Sequence, residues 1–505
     1  MLIPLLTYLA AARQASLWQD LGWQSGVFTA VGIGIIVMIT AILGRRLARQ
    51  SGGIPDYATW SRFQTSLFLA RLFIVVWFGF CTLALGYASW IDQLLDPIEG
   101  TLDLHLPGLI LACTPPVLGF IGLWWAAFPL ERLMQERSIL SRMDDGLPVH
   151  ALPDFGRYFF ANLRLQMLFV LIPVAAIMLL GDIATILGSF VNYTPSEVMT
   201  ESLSAVSVLL VLLVGPVFLV RILPTSSLDP GSRLRADLEQ VERITRQRCR
   251  DIRVWHTNHT MSNAMVMGIA RPARYVLMSD LLIETLAPRE LQAVYAHEAG
   301  HVRYRHLLWY VLFFSTYLMV LTAPAGWMFY LVLESNLASE QMTALGVAVV
   351  ITTVYIYMFG VLARFFERQA DAYAARTLEL IPDPGEPVPV ESQNLRPEQV
   401  PVSKRGARGF ANALSRVVTI NRMPSDPRPR FGTLMQRLSQ WLAYRTSYFL
   451  HPSPAERLEH LAALCESPEA TRAFDRRAGM LFLGLILYAV LLSVITVLWL
   501  AKFIN

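Results

Sequence analysis

His297-Glu298-Ala299-Gly300-His301, followed after five residues by the apolar run Leu307–Leu333, decides how this chain is read. On an α-helix, positions four apart lie on one face. Two imidazoles there grip one Zn²⁺ at about 2.0–2.1 Å each and leave room for a third protein ligand and a water. Glu298, beside the first histidine, can take a proton from that water as the metal acidifies it. The bland alternative is a surface helix whose histidines face solvent. The stretch reads first as the centre of a zinc hydrolase, with one Zn²⁺ per chain. The adjoining apolar run sets that centre close to a membrane surface.

The rest of the chain agrees with a membrane setting. Of 505 residues, 54% are hydrophobic and only 16% charged, against about 25% charged in ordinary soluble domains. Mean hydropathy is +0.45. Eight stretches are long enough to cross a bilayer core as helices: Gly26–Gly44, Leu67–Trp90, Pro107–Leu130, Leu165–Gly188, Leu203–Leu223, Leu307–Leu333, Met342–Ala363 and Gly479–Ala501. Arginines crowd alternate connections (Arg45, Arg46, Arg49 and Arg62, then Arg132, Arg137, Arg142, Arg157 and Arg164), while the others carry acids. The positive-inside rule then puts both termini outside and the polar segments in the cytoplasm. The opening Met1–Ala12 has no basic residue before its apolar core and is read as retained. The net charge of +4 reflects this topology, and no basic run interleaved with aromatics suggests nucleic-acid binding. Four scattered cysteines support neither a thiolate site nor a disulfide framework.

The expected fold is a polytopic α-helical membrane protein of about eight spans with a cytoplasmic α+β domain. Residues 1–223 form an N-terminal membrane region of about five spans. Residues 224–306 and 364–478 are the two parts of the cytoplasmic domain, separated by a two-span hairpin at 307–363, and 479–505 is the last span. Within the first part, Asp251–Trp255, Ala264–Ile269 and Tyr275–Met278 read as short strands. Leu281–Leu286 and Pro288–His306 read as helices, the latter with proline at a favoured first position. In the second part a helix Arg364–Leu380 continues from the seventh span. Pro-rich Ile381–Val402 is an extended loop, Gly409–Asn421 is helical, and Phe431–Cys465 is amphipathic.

A third ligand is required. Phe366-Glu367-Arg368-Gln369-Ala370-Asp371 offers two carboxylates four apart on one helical face. The hairpin goes out and back, so it returns Glu367 to the side of the zinc helix. Asp371 is then within reach of the free N–H of a ligating imidazole. The competing reading is a surface salt bridge to Arg364 or Arg368.

With these motifs in order, the chain resembles the membrane-embedded zinc metallopeptidases that include bacterial HtpX and the eukaryotic CAAX prenyl protease. The stretches that carry the resemblance are Asn263–Gly268, Tyr275–Asp280 with Pro288–Leu291, the zinc helix, Arg364–Ala374, and His451–Leu458. It implies that His297, His301 and Glu367 bind zinc, Glu298 is the base, and Asp371 supports a zinc-bound histidine. It also implies that Asn263, Ala264, Met265, Val266, Met267 and Gly268 form a substrate-facing edge strand. His451 would meet the peptide or the oxyanion, or else merely precede a helix at Pro452. His256 and His259 read as exposed polar positions. Arg71 is expected to snorkel to the membrane edge. For Asp182 an intramembrane polar cavity and a water-accessible bend both stand.

The expected activity is hydrolysis of peptide bonds in membrane-associated or misfolded proteins, in a bacterial inner membrane. A processing peptidase for a defined short or lipidated peptide is one alternative. A catalytically silent scaffold or transporter is another, although a scaffold has no need of Glu298.

Overall fold

The computed structural model describes residues 21–50, 57–99, 104–144, 149, 151–190, 197–322, 340–382, 395–421 and 448–504. The chain is a polytopic helical membrane protein, and its described residues include one small sheet. It forms two compact units, Met1–Pro224 and Thr225–Asn505.

The first unit contains α1 (Trp23–Gln50), α2 (Tyr57–Ala84), α3 (Tyr87–Glu99), α4 (His105–Asp144), α5 (Phe155–Asn162), a π turn, α6 (Phe169–Phe190) and α7 (Glu197–Ile222). Helix α1 packs on α2 and α4 around Ile33, Phe63, Leu67, Ile74 and Leu123. Their outward faces carry large apolar side chains such as Phe28, Ile35 and Phe73, which suits a lipid surround. Asp182, on α6 and only 4% exposed, accepts hydrogen bonds from the N–H groups of His105 (2.9 Å) and Leu106 (2.8 Å). It thereby satisfies two of the orphan donors at the positive end of α4. Neither sequence reading of Asp182 had this role in it. Arg71 lies within electrostatic reach of Glu131, which is hydrogen-bonded to Tyr158.

Six described helices are long and apolar enough to cross a membrane: Trp23–Gln50, Arg62–Ala84, His105–Arg137, Phe155–Phe190, Val349–Leu380 and Pro468–Leu498. Of the other two expected spans, the fifth corresponds to the shorter apolar helix Val206–Ile222. The sixth is helical from His306 to Thr322, and its remainder lies outside the described residues. So do Met1–Ala12, most of the Pro-rich loop and the first part of Phe431–Cys465.

The second unit opens with β1 (Thr225–Ser227), α8 (Arg233–Thr245), β2 (Asp251–Trp255), β3 (Ala264–Met267) and β4 (Tyr275–Ser279). The sheet order is β1-β2-β4-β3. Strands β2 and β4 run parallel, with Asp251 opposite Tyr275. Strand β3 is antiparallel to β4, with Val266 opposite Val276. Every residue of β4 is buried, as an inner strand covered on both faces requires. Strand β3 is an edge. It ends at Gly268, whose φ of +92° suits glycine and whose Cβ would sit 2.2 Å from the Ala273 carbonyl oxygen.

Helices α9 (Asp280–Thr285), α10 (Pro288–Arg303), α11 (His306–Thr322), α12 (Glu340–Leu380), α13 (Lys404–Ile420), α14 (Pro454–Leu464) and α15 (Pro468–Ile504) complete the unit. Pro288 opens α10 as expected, and Glu290 reaches back to accept the Ala287 N–H at 2.9 Å. Helix α10 is central, packed by α8, α12, α13 and β3, with Leu291, Tyr295, Ala296, Ala372, Leu378 and Phe410 in the shared core. Helix α12 runs unbroken for 41 residues, about 60 Å at 1.5 Å per residue, from the seventh span into this core. Its buried Ala370, Ala372, Ala374 and Ala375 keep it slim enough for neighbours on several sides. Gly300 completes the fit, since a Cβ there would lie 3.0 Å from Ala370 Cα.

One boundary differs in a way that matters. The zinc helix was expected to run to His306, but α10 ends at Arg303 and α11 begins at His306. Arg305 between them has φ 56°, a left-handed turn that no helical periodicity announces. Strand β1 was also not anticipated, being only three residues long.

Candidate active site

Helix α10 presents His297 and His301 side by side, with their Nε2 atoms 3.2 Å apart. Helix α12 brings in Glu367, whose carboxylate oxygens lie 3.7 Å from His297 Nε2 and 3.6 Å from His301 Nε2. One ligand atom from each residue lies within 4.8 Å of the others. Donors about 2.0–2.1 Å from a tetrahedral zinc would be roughly 3.3 Å apart, so the three residues fit such an ion. Two imidazole nitrogens facing each other at this distance need a cation or proton between them. Their convergence with a carboxylate is the arrangement that a divalent ion satisfies.

Each histidine is held from behind. Asp371, 0% exposed, sits with Oδ1 3.0 Å from His297 Nδ1, close although off the ideal N–H direction. Arg457, from α14, grips Asp371 with two charge-assisted hydrogen bonds of 2.8 and 2.5 Å. The Arg457 guanidinium also lies 5.7 Å from the Phe410 ring, and that ring stacks on His297 at 5.8 Å. Burial opposes a charge on Arg457, but Asp371 overrides it and raises the arginine's pKa. Burial likewise opposes a charged His297, and Asp371 again outweighs it and raises the histidine. His301 is driven well below the usual histidine range by burial and by its histidine neighbours.

Glu298, next to His297 on α10, accepts a hydrogen bond at its Oε2 from the Val266 N–H at 3.0 Å. Burial raises its pKa above that of an ordinary glutamate. The carboxylate therefore sits against the edge strand and lines the same cavity as His297, His301 and Glu367. A cavity of about 970 Å³ opens here, lined by Asn263, Ala264, Met265, Val266 and Gly268 on one side. Met267, the remaining expected edge residue, is 6% exposed and turns into the core. Leu307, Leu308, Tyr310 and Phe359 form an apolar wall of the same cavity, contributed by α11 and the membrane-crossing part of α12.

His451 reaches the cluster from just before α14, its Nδ1 3.1 Å from Glu367 Oε1 and its side chain 66% exposed. The pair His256 and His259 is elsewhere: His256 bonds Ser226 at 2.8 Å, and His259 pairs with Glu284 at 3.2 Å. Sequence reading had no role for Arg457. The signal that was available is its place six residues after His451, on the helix begun by Pro454 and capped by Ser453, whose Oγ accepts the Glu456 N–H.

A histidine pair on one helix, a carboxylate from a second, and a glutamate facing an edge strand define a metalloprotease, here one carried by membrane-crossing helices. Residues 239–464 match the family model described as Peptidase family M48. Over that stretch, a little under half of its length, the chain is similar to that family. No curated protein matches it. Among solved structures, the crystal structure of S. mikatae Ste24p is similar at 14% sequence identity, over 86% of this chain and 98% of that one, with a TM-score of 0.41.

Proposed function

We propose that this metallopeptidase is a zinc endopeptidase cutting membrane-associated or misfolded proteins, with His297, His301 and Glu367 as zinc ligands and Glu298 as general base. The observation that carries the reading is the 3.0 Å hydrogen bond between Val266 N–H and Glu298 Oε2. A peptide added to the free edge of β3 must pass that carboxylate. Main-chain hydrogen bonds along Ala264–Gly268 hold such a peptide without demanding a sequence. Zinc, when bound, would supply a Lewis acid for the scissile carbonyl and lower the pKa of the attacking water. Glu298 takes the proton from the water and passes it to the leaving amine. Asp371, anchored by Arg457, orients His297. His451, exposed and beside Glu367, is assigned to the peptide or its oxyanion. The arginine-rich connections assign the site to the cytoplasmic face of a bacterial plasma membrane.

The apolar wall of Leu307, Leu308, Tyr310 and Phe359 favours substrates that arrive from the membrane surface. It also supports a second reading, a processing peptidase for a short lipidated peptide. The test is to incubate the purified, zinc-loaded chain with unstructured casein and with a short prenylated peptide, and to sequence the products. Cleavage of casein, abolished by chelation and restored by zinc, is expected. Cleavage of the prenylated peptide alone would replace the first reading with the second. Cleavage of neither would sink both.

A further inference from the structure

The turn at Arg305 has a consequence for His301. In a continuous helix a residue five positions on points well away from its predecessor. Because α10 stops at Arg303, the chain folds back and His306 Nδ1 comes to 2.8 Å from His301 Nδ1. The other nitrogen of His306, Nε2, lies 3.0 Å from Gln369 Oε1 on α12. His306 is 1% and Gln369 3% exposed. The His306 ring is clamped, stacked face to face on Phe366 at 4.1 Å and 3°, with Tyr304 at 5.9 Å and 18°.

Donor and acceptor roles along this chain follow from Gln369 presenting its amide oxygen to His306. An amide oxygen only accepts, so His306 Nε2 carries the hydrogen. The Nδ1 of a neutral His306 is then a lone pair, and it accepts from His301 Nδ1–H. That leaves His301 Nε2 bare, and this is the atom 3.6 Å from Glu367 and 3.2 Å from His297 Nε2. A donor at position 369 would reverse each step and put a hydrogen on the nitrogen that must face the metal.

We propose that His306 and Gln369 are positioning residues, a neutral imidazole–amide relay that fixes the tautomer and ring direction of His301 for metal binding. The two zinc-facing histidines are thus braced differently. Asp371 with Arg457 serves His297, and His306 with Gln369 serves His301. This inference rests on the reading of His297, His301 and Glu367 as the zinc ligands.

The test compares two variants of the full-length purified chain by zinc affinity, using chelator competition, and by the visible spectrum of the Co²⁺-substituted protein. Gln369→Met keeps the bulk and removes the acceptor. Gln369→Glu keeps the acceptor and removes the donor. The relay predicts zinc binding weakened by about 10–100-fold in Gln369→Met, the usual cost of losing such a partner, with a perturbed Co²⁺ spectrum. It predicts affinity in Gln369→Glu close to that of the parent. A purely packing role predicts the reverse order, since an apolar isostere is tolerated in a buried site and an added charge is not. Should Gln369→Met fail to fold, His306→Phe, which preserves the stack on Phe366, carries the same expectation. Parent-like zinc affinity in the folded member of this pair, or the packing order, overturns the relay alone. A parent chain that binds no zinc overturns the ligand assignment, and the relay falls with it.

Discussion

Arg457→Met is the substitution that probes the supporting architecture most sharply. The side chain is 13% exposed and its partner Asp371 only 1%, so this is a buried pair and not a surface salt bridge. Methionine keeps the stem packed near Phe410 but removes both hydrogen bonds to the carboxylate. Breaking a buried pair by removing one partner costs about 3–5 kcal/mol, because the other charge stays buried without compensation. For a domain of 150–250 residues each kcal/mol shifts the melting temperature by about 2–4 °C. The metal-free chain should therefore melt about 6–20 °C lower, measured by its intrinsic fluorescence in detergent. Metal-free protein is used so that lost zinc affinity does not contribute. The double variant Arg457→Met/Asp371→Leu removes both charges and should recover most of that loss. It should not recover zinc affinity, because His297 still lacks its brace. A single variant melting within a degree or two of the parent, or a double variant less stable than the single, would refute the reasoning.

Glu298→Gln should retain full zinc in metal analysis and lose hydrolysis by about 10²–10⁴-fold, the range for losing a general base. Glu367→Ala should lose most of its zinc, and full occupancy would remove that ligand assignment. Gly300→Val should weaken zinc binding while leaving both histidines intact, because even a Cβ would stand 3.0 Å from Ala370 Cα. Overpacking of this kind costs about 1–3 kcal/mol and pushes α10 away from the helix that carries Glu367, which zinc titration would register.

Much of this arrangement was legible in the residues. The spacing of His297 and His301 depends only on helical geometry, and so does that of Glu367 and Asp371 on the helix that follows the expected seventh span. Strand β2 was bounded correctly as Asp251–Trp255, because its alternation and its flanking turn residues lie within a few positions. What stayed hidden depends on single backbone angles or on partners distant in sequence. Nothing in Arg303-Tyr304-Arg305-His306 separates a helix that continues from one that breaks at a left-handed arginine. The position of His306 was therefore unreadable. Arg457 is 86 residues from Asp371, and one arginine among 42 basic residues carries no mark of its partner. Asp182 read as an unexplained charge in a span because its acceptors' partners are backbone N–H groups, which sequence cannot distinguish.

The charges of the site argue for the same ion that the spacing suggests. Glu298, Glu367 and Asp371 bring three carboxylates into one buried region, and Arg457 is the guanidinium that pairs with Asp371 at its centre. With neutral histidines, these three carboxylates and one guanidinium, which also lies 3.8 Å from Glu367, carry a net charge of two negative units. Burying that charge uncompensated would be costly, and protonating Glu298 and Glu367 would leave no base at the one and no anionic ligand at the other. A single divalent cation balances the set while keeping both carboxylates ionised.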